Sequence, residues 1–96
     1  MTFPSKRPVA AITGASSGIG NAIAHRLAAD GYNLALCARR QQRLAELADK
    51  LSLQHVVELL TLTVDLRDEA QILVWFGAIA TRFQRLDVLL NNAGLG

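Results

Sequence analysis

Short apolar runs alternate with amphipathic stripes of helix length along almost the whole chain, and no other feature limits the possible folds so strongly. "VAAIT" (Val9 to Thr13), "NLALCA" (Asn33 to Ala38), "VVELLTLTV" (Val56 to Val64) and the run Val88 to Leu90 within "DVLLNNAG" read as strands. After the first run, Ile19, Ile23 and Leu27 recur at spacings of four, and Gly31 stands where a glycine commonly closes a helix. Leu44, Leu47, Ala48 and Leu51 then fall at i, i+3, i+4 and i+7. Ile72, Phe76, Ile79 and Phe83 mark a third helical face. The order is β-α-β-α-β-α-β. Strands apolar on both faces and separated by helices call for a parallel sheet with helices on either side.

Such a chain is an α/β protein with a Rossmann-like, doubly wound parallel sheet. Right-handed crossovers put the first two helices on one face and the third on the other, with strand order 3-2-1-4. One face is then half covered, and the apolar strand Val88 to Leu90 forms an open edge, which invites aggregation. The 96 residues are therefore expected to be a truncated chain or the ordered part of a longer one.

Charge and cysteine content exclude several function classes. A formal net charge of +2 is too small to argue for nucleic acid or a membrane surface as partner. No apolar run approaches the roughly 20 residues of a spanning helix, and the amino terminus has no stretch resembling a signal peptide. A single cysteine, Cys37, excludes an internal disulfide and fits a reducing, cytoplasmic compartment.

The first strand runs directly into "TGASSGIG" (Thr13 to Gly20). A helix that starts just after a buried strand presents unpaired backbone N–H groups and a positive dipole end, which suit a pyrophosphate. Gly14 supplies a tight turn, Gly18 a close approach for the ligand, and Gly20 close packing of helix on strand. Ser16 and Ser17 add hydroxyls, as a helix cap or as phosphate ligands. No Gly-Lys-Ser/Thr follows, so the loop is not that of a nucleoside triphosphatase. On this motif alone, a glycine-rich turn that merely joins strand to helix is the alternative.

The loop resembles the Thr-Gly-x-x-x-Gly-x-Gly motif of the short-chain dehydrogenases/reductases. Two further family signatures stand in the expected order: Asp65 in "TVDL" and "NNAG" (Asn91 to Gly94). The resemblance spans essentially all 96 residues. It implies a dinucleotide site that uses Gly14, Ser16, Ser17, Gly18, Ile19 and Gly20 of the loop. Asp65 and Leu66 would meet the adenine, and Asn91, Ala93 and Gly94 would line the groove while steadying the sheet. Asp65 has an alternative as cap of a helix beginning near Asp68, and Asn91 and Asn92 as partners for backbone groups at the strand end.

In relatives that prefer NAD, an aspartate occupies the position of Ala38, where it accepts the ribose 2′-hydroxyl. This chain reads "CARRQQR" there. With no carboxylate to repel it, a 2′-phosphate suits the guanidinium of Arg39, with Arg40 as second contact. The expected cofactor is thus NADP rather than NAD. Arg43 reads as a solvated residue at a helix start.

Hydride transfer between NADP(H) and a small carbonyl or alcohol is the implied reaction, but the family's active-site tyrosine, lysine and serine have no counterpart here. Tyr32, the only tyrosine, has Leu36 four residues on. No catalytic residue is assigned, and the chain alone is expected to be inactive. The whole protein is expected to be a single domain of about 250 residues and, as family members usually are, a homo-oligomer. A non-catalytic dinucleotide-binding module and an inactive fragment are the competing readings. Elsewhere, His25 and His55 read as solvent-facing, Cys37 as an inert core thiol, and Trp75 as partly packed. No metal site is expected.

Overall fold

The computed structural model describes residues 3 to 92. It consists of β1 (Val9–Thr13), α1 (Gly18–Ala29), β2 (Asn33–Ala38), α2 (Gln41–Gln54), β3 (Leu59–Thr63), α3 (Glu69–Phe83) and β4 (Val88–Asn91). All three strand pairs are parallel and the sheet order is β3-β2-β1-β4, as the crossover argument requires.

Strand alternation divides the core in two. Ala10, Ile12, Leu34 and Leu36 point to the face covered by α1 and α2, where Leu44, Leu47 and Leu51 meet them. Val9, Ala11, Ala35 and Cys37 point to the other face, under Trp75, Ile79 and Phe83 of α3. β1 and β2 are buried throughout because each has a strand on either side and helices above and below. β3 and β4 are edges, and they alternate between half-buried and exposed residues. β3 is shorter than the apolar run predicts. Val56 lies outside it and is exposed, since the ladder to β2 begins only at Leu59.

The packing face of α1 differs from the predicted stripe. Gly20, Ala24 and Ala28 are buried, whereas Ile19 is 57% exposed and Ile23 and Leu27 pack only at the margin. The buried line lies one residue, about 100°, around the helix from the isoleucines. Small residues let the helix axis approach the sheet, and proximity outweighs side-chain size. On α3 the deepest line is Trp75, Ile79 and Phe83, with Ile72 and Phe76 beside it. Trp75 is fully buried rather than partly packed, and it is among the largest side chains of this core. The outer face of the same helix exposes Leu73 and Val74.

His25 and His55 are not two isolated surface residues. Nδ1 of His25 lies 3.3 Å from Nε2 of His55, joining α1 to the residue that caps the carboxyl end of α2. Among the described residues, no helix is long and apolar enough to cross a membrane.

Candidate cofactor site

A cleft of about 370 Å³ opens at the carboxyl ends of the strands, where ligands bind open α/β sheets. Its floor is the turn from β1 to α1. Gly14 has φ of 62°, a left-handed conformation that glycine adopts without penalty. The Gly14 carbonyl then accepts from the Ser17 backbone N–H at 3.1 Å and from the Ser17 hydroxyl at 2.9 Å. Ser17 is the N-cap of α1, and its oxygen accepts from the Gly20 N–H at 3.3 Å. Of the two roles open to this hydroxyl, capping is the one it fills. Ser16 lies on the cleft wall with no such duty given to its side chain.

Gly18 and Gly20 differ sharply in their surroundings. A methyl group on Gly18 would meet nothing within 4 Å, so this side of the loop is open for a ligand. On Gly20 it would lie 2.5 Å from the Gly14 oxygen and 2.7 Å from Nδ2 of Asn92. The first-turn N–H groups beside Gly18 have no helical carbonyl to serve, and the helix dipole adds to their pull on an anion.

β4 fastens this loop from the side. Nδ2 of Asn92 donates to the Ser17 hydroxyl at 2.8 Å and to the Gly14 carbonyl at 3.2 Å. The Asn92 backbone N–H donates to the Thr13 hydroxyl at 2.9 Å, which itself donates to Oδ1 of Asn91 at 2.9 Å. Asn92 is 5% exposed and lines the cleft, whereas Asn91 is exposed and does not. Sequence reasoning chose Asn91 and left Asn92 out of the candidate site. The signal was present in the doubled asparagine of "NNAG", but two identical neighbours conceal which one turns inward.

Arg39, Arg40 and Arg43 line one wall, past the end of β2. Arg43 is exposed in the first turn of α2, as a solvated residue at a helix start, and it also lines the cleft. Cys37 also reaches the cleft lining, and burial pushes its thiol up to about 11. Asp65, Leu66 and Arg67 line the cleft after β3, the strand beside β2. Asp65 does not cap α3, since Asp68 does, its Oδ1 accepting from the Ala70 N–H at 3.0 Å. Instead Asp65 is held by Arg67, whose hydrogen bonds lower its carboxyl to about 2, with Arg39 adding a smaller contribution. Arg67 went unnoticed in the sequence. Gly18, Ile19 and Gly20 form the first turn of α1 but lie outside the cleft lining, and Ala93 and Gly94 lie outside the described residues. Tyr32 precedes β2, at the end of the sheet away from the cleft.

A doubly wound parallel sheet whose first strand-to-helix turn opens into such a cleft defines a nucleotide-binding α/β protein. Residues 8–96 match the short chain dehydrogenase family, and the chain belongs to it. It is 44% identical over 88 residues to the granaticin polyketide synthase putative ketoacyl reductase 1 of Streptomyces violaceoruber, covering 92% of this chain and 32% of that protein. L-Sorbose reductase from Gluconobacter frateurii, solved with NADPH and L-sorbose, is 38% identical with a TM-score of 0.89, over 100% of this chain and 36% of that one. A short chain dehydrogenase/reductase from Burkholderia phymatum in complex with NAD is 31% identical with a TM-score of 0.82, over 92% of this chain and 31% of that one. The chain thus spans about a third of the length of these relatives.

Proposed function

We propose that this chain is the cofactor-binding part of an NADP(H)-dependent oxidoreductase that interconverts a small carbonyl compound and its alcohol. The basic wall carries the reading. Arg39, Arg40 and Arg43 line the cleft past β2, and the buried Ala38 offers no carboxylate there. Relatives are known with NADPH and with NAD, so the choice of the phosphorylated cofactor rests on these residues. Arg39 would take the 2′-phosphate with its planar fork, and Arg40 would be a second contact.

The loop residues Gly14, Ser16, Gly18 and the N–H group at Ile19 would hold the pyrophosphate, with Ser17 and Asn92 fixing their shape and Gly20 letting α1 pack close beneath them. Asp65 and Leu66 would receive the adenine. Asn91, Ala93 and Gly94 would continue the groove. When bound, NADP(H) supplies or accepts the hydride. The tyrosine, lysine and serine that handle the substrate oxygen would belong to the portion of the relatives that these residues do not span. The whole protein would be a cytoplasmic single domain of about 250 residues that assembles with copies of itself, with no membrane or nucleic-acid partner.

Titrating the protein with NADPH and NADH, followed by nicotinamide fluorescence, tests the assignment. Arg39→Asp is expected to weaken NADPH binding by at least about tenfold, the loss of a charge-assisted bidentate contact, while NADH binding holds or improves. Unchanged NADPH affinity would refute the phosphate role of Arg39.

A further inference from the structure

Two residues past the end of β3, Asp65 is gripped by the residue two further on. Nε of Arg67 donates to Oδ1 at 3.1 Å and Nη2 donates to Oδ2 at 2.9 Å, two parallel bonds of a guanidinium fork. The Arg67 backbone N–H adds a third bond to Oδ1 at 3.0 Å. The Asp65 backbone is fixed as well, its N–H donating to Oε1 of Gln71 at 2.8 Å. A carboxylate offers about four acceptor positions. Here Oδ1 has two filled and Oδ2 one, so a single position on Oδ2 remains for a ligand. Asp65 and Arg67 both line the cleft.

We infer that Arg67 is a positioning residue for base recognition: its fork holds the Asp65 carboxylate in one orientation, with one acceptor left for the exocyclic amine of adenine. The inference rests on the reading of Asp65 as the adenine contact. An ionised, oriented acceptor favours a 6-amino purine, which donates, over a 6-oxo purine, which presents a second acceptor. Specificity of this kind comes from the unpaired or opposed polar group in the wrong ligand. A free aspartate at an exposed strand end could swing to accept from the N1–H that a 6-oxo purine carries one atom away, and so lose the distinction.

The probes are NADPH and its reduced hypoxanthine analogue, in which oxygen replaces the 6-amino group. Their dissociation constants are measured on the parent protein and on Asp65→Ala, Arg67→Met and Arg67→Lys. The parent is expected to prefer NADPH by about tenfold, as a hydrogen bond to a charged acceptor allows. Asp65→Ala should abolish that preference. A parent without preference, or an Asp65→Ala variant that keeps it, overturns the adenine reading itself.

Given that preference, Arg67→Met should reduce it by about fivefold or more while affinity for the hypoxanthine analogue changes less than about twofold. Intact analogue binding shows that the fold and loop survive. The ratio also cancels any general attraction of Arg67 for phosphate, which acts on both ligands alike. Arg67→Lys keeps the charge without the fork and should lose most of the preference. An unchanged preference in Arg67→Met, or a rise in NADPH affinity because Arg67 competes with the base, overturns the proposal. Full preference in Arg67→Lys overturns the role of the fork.

Discussion

Replacing Gly20 by alanine puts one methyl group at the tightest point of the molecule. The new Cβ would lie 2.5 Å from the Gly14 oxygen, 2.7 Å from Nδ2 of Asn92 and 3.0 Å from the Ala15 Cα. Two of these neighbours are backbone atoms, and the third is held by two hydrogen bonds, so α1 must move outward. Overpacking of this kind costs about 1–3 kcal/mol. The outward shift also stretches the Ser17 cap on the Gly20 N–H, already 3.3 Å long, and a lost cap costs about 1 kcal/mol. Alanine returns about 1 kcal/mol through its better helix propensity. The balance is a loss of about 2 kcal/mol, to be measured as a lower urea midpoint at unchanged slope by circular dichroism.

Gly18→Ala is the matched control. It lies in the same helix with nothing within 4 Å of the added methyl, and its stability should hold or rise slightly. If Gly20→Ala were as stable as the parent, or if both variants lost equally, close contact at Gly20 would not be what holds this turn.

Gly18→Val should leave the urea midpoint near that of the parent yet weaken NADPH binding by more than tenfold (about 1.4 kcal/mol per factor of ten), and normal binding would count against the loop reading. The Cys37 thiol, raised to about 11 by burial, should resist thiol-disulfide reagents at pH 7.5 until denaturant is added; rapid stoichiometric labelling of the native protein would contradict this. His25 is shifted below its usual value, first by desolvation and then by His55 and Lys50. The unfolded chain therefore takes up this proton first as pH falls, and stability conferred by neutral His25 should be fully present above about pH 6.5 and decline below it. His25→Gln should flatten that part of the pH–stability curve, and an unaltered slope would discount the pair. A separate loss is expected as pH falls from about 4 towards 2, where Asp65 and Asp87, both held below their ordinary range by arginine partners, take up protons.

What could be read from the sequence divides along physical lines. Strand positions and sheet order follow from local patterns and from the handedness of crossovers, so β1 and β2 appear with the predicted boundaries and β4 differs only by the addition of Asn91. The face of α1 was misread because hydrophobicity ranks isoleucine above alanine, while a helix that must approach a glycine turn selects Gly20, Ala24 and Ala28. Of the cleft lining, Gly14, Ser16, Ser17, Arg39, Arg40, Asp65 and Leu66 were legible, whereas Gly18 and Gly20 stand outside it. Three features depend on geometry that no spacing reveals. The Arg67 fork needs the loop after β3 to fold back on Asp65. The contact between His25 and His55 joins residues thirty apart. The inward turn of Asn92 depends on where β4 stops pairing with β1.

The asparagine clasp also fixes an order of events during synthesis. The loop is encoded near the amino terminus, yet its bonds from Asn92 reach back across 75 to 79 residues to Ser17, Gly14 and Thr13. β4 must slot in beside β1, the second strand partner of the earliest strand, before those bonds can close. Long loops of this kind are entropically slow to close, and a chain leaving the ribosome presents its amino-terminal residues first. A nascent chain that ends before Asn92 therefore carries the whole glycine signature but lacks the clasp. The final hydrogen bonding of the loop is thus acquired late, from a residue far outside its own glycine motif.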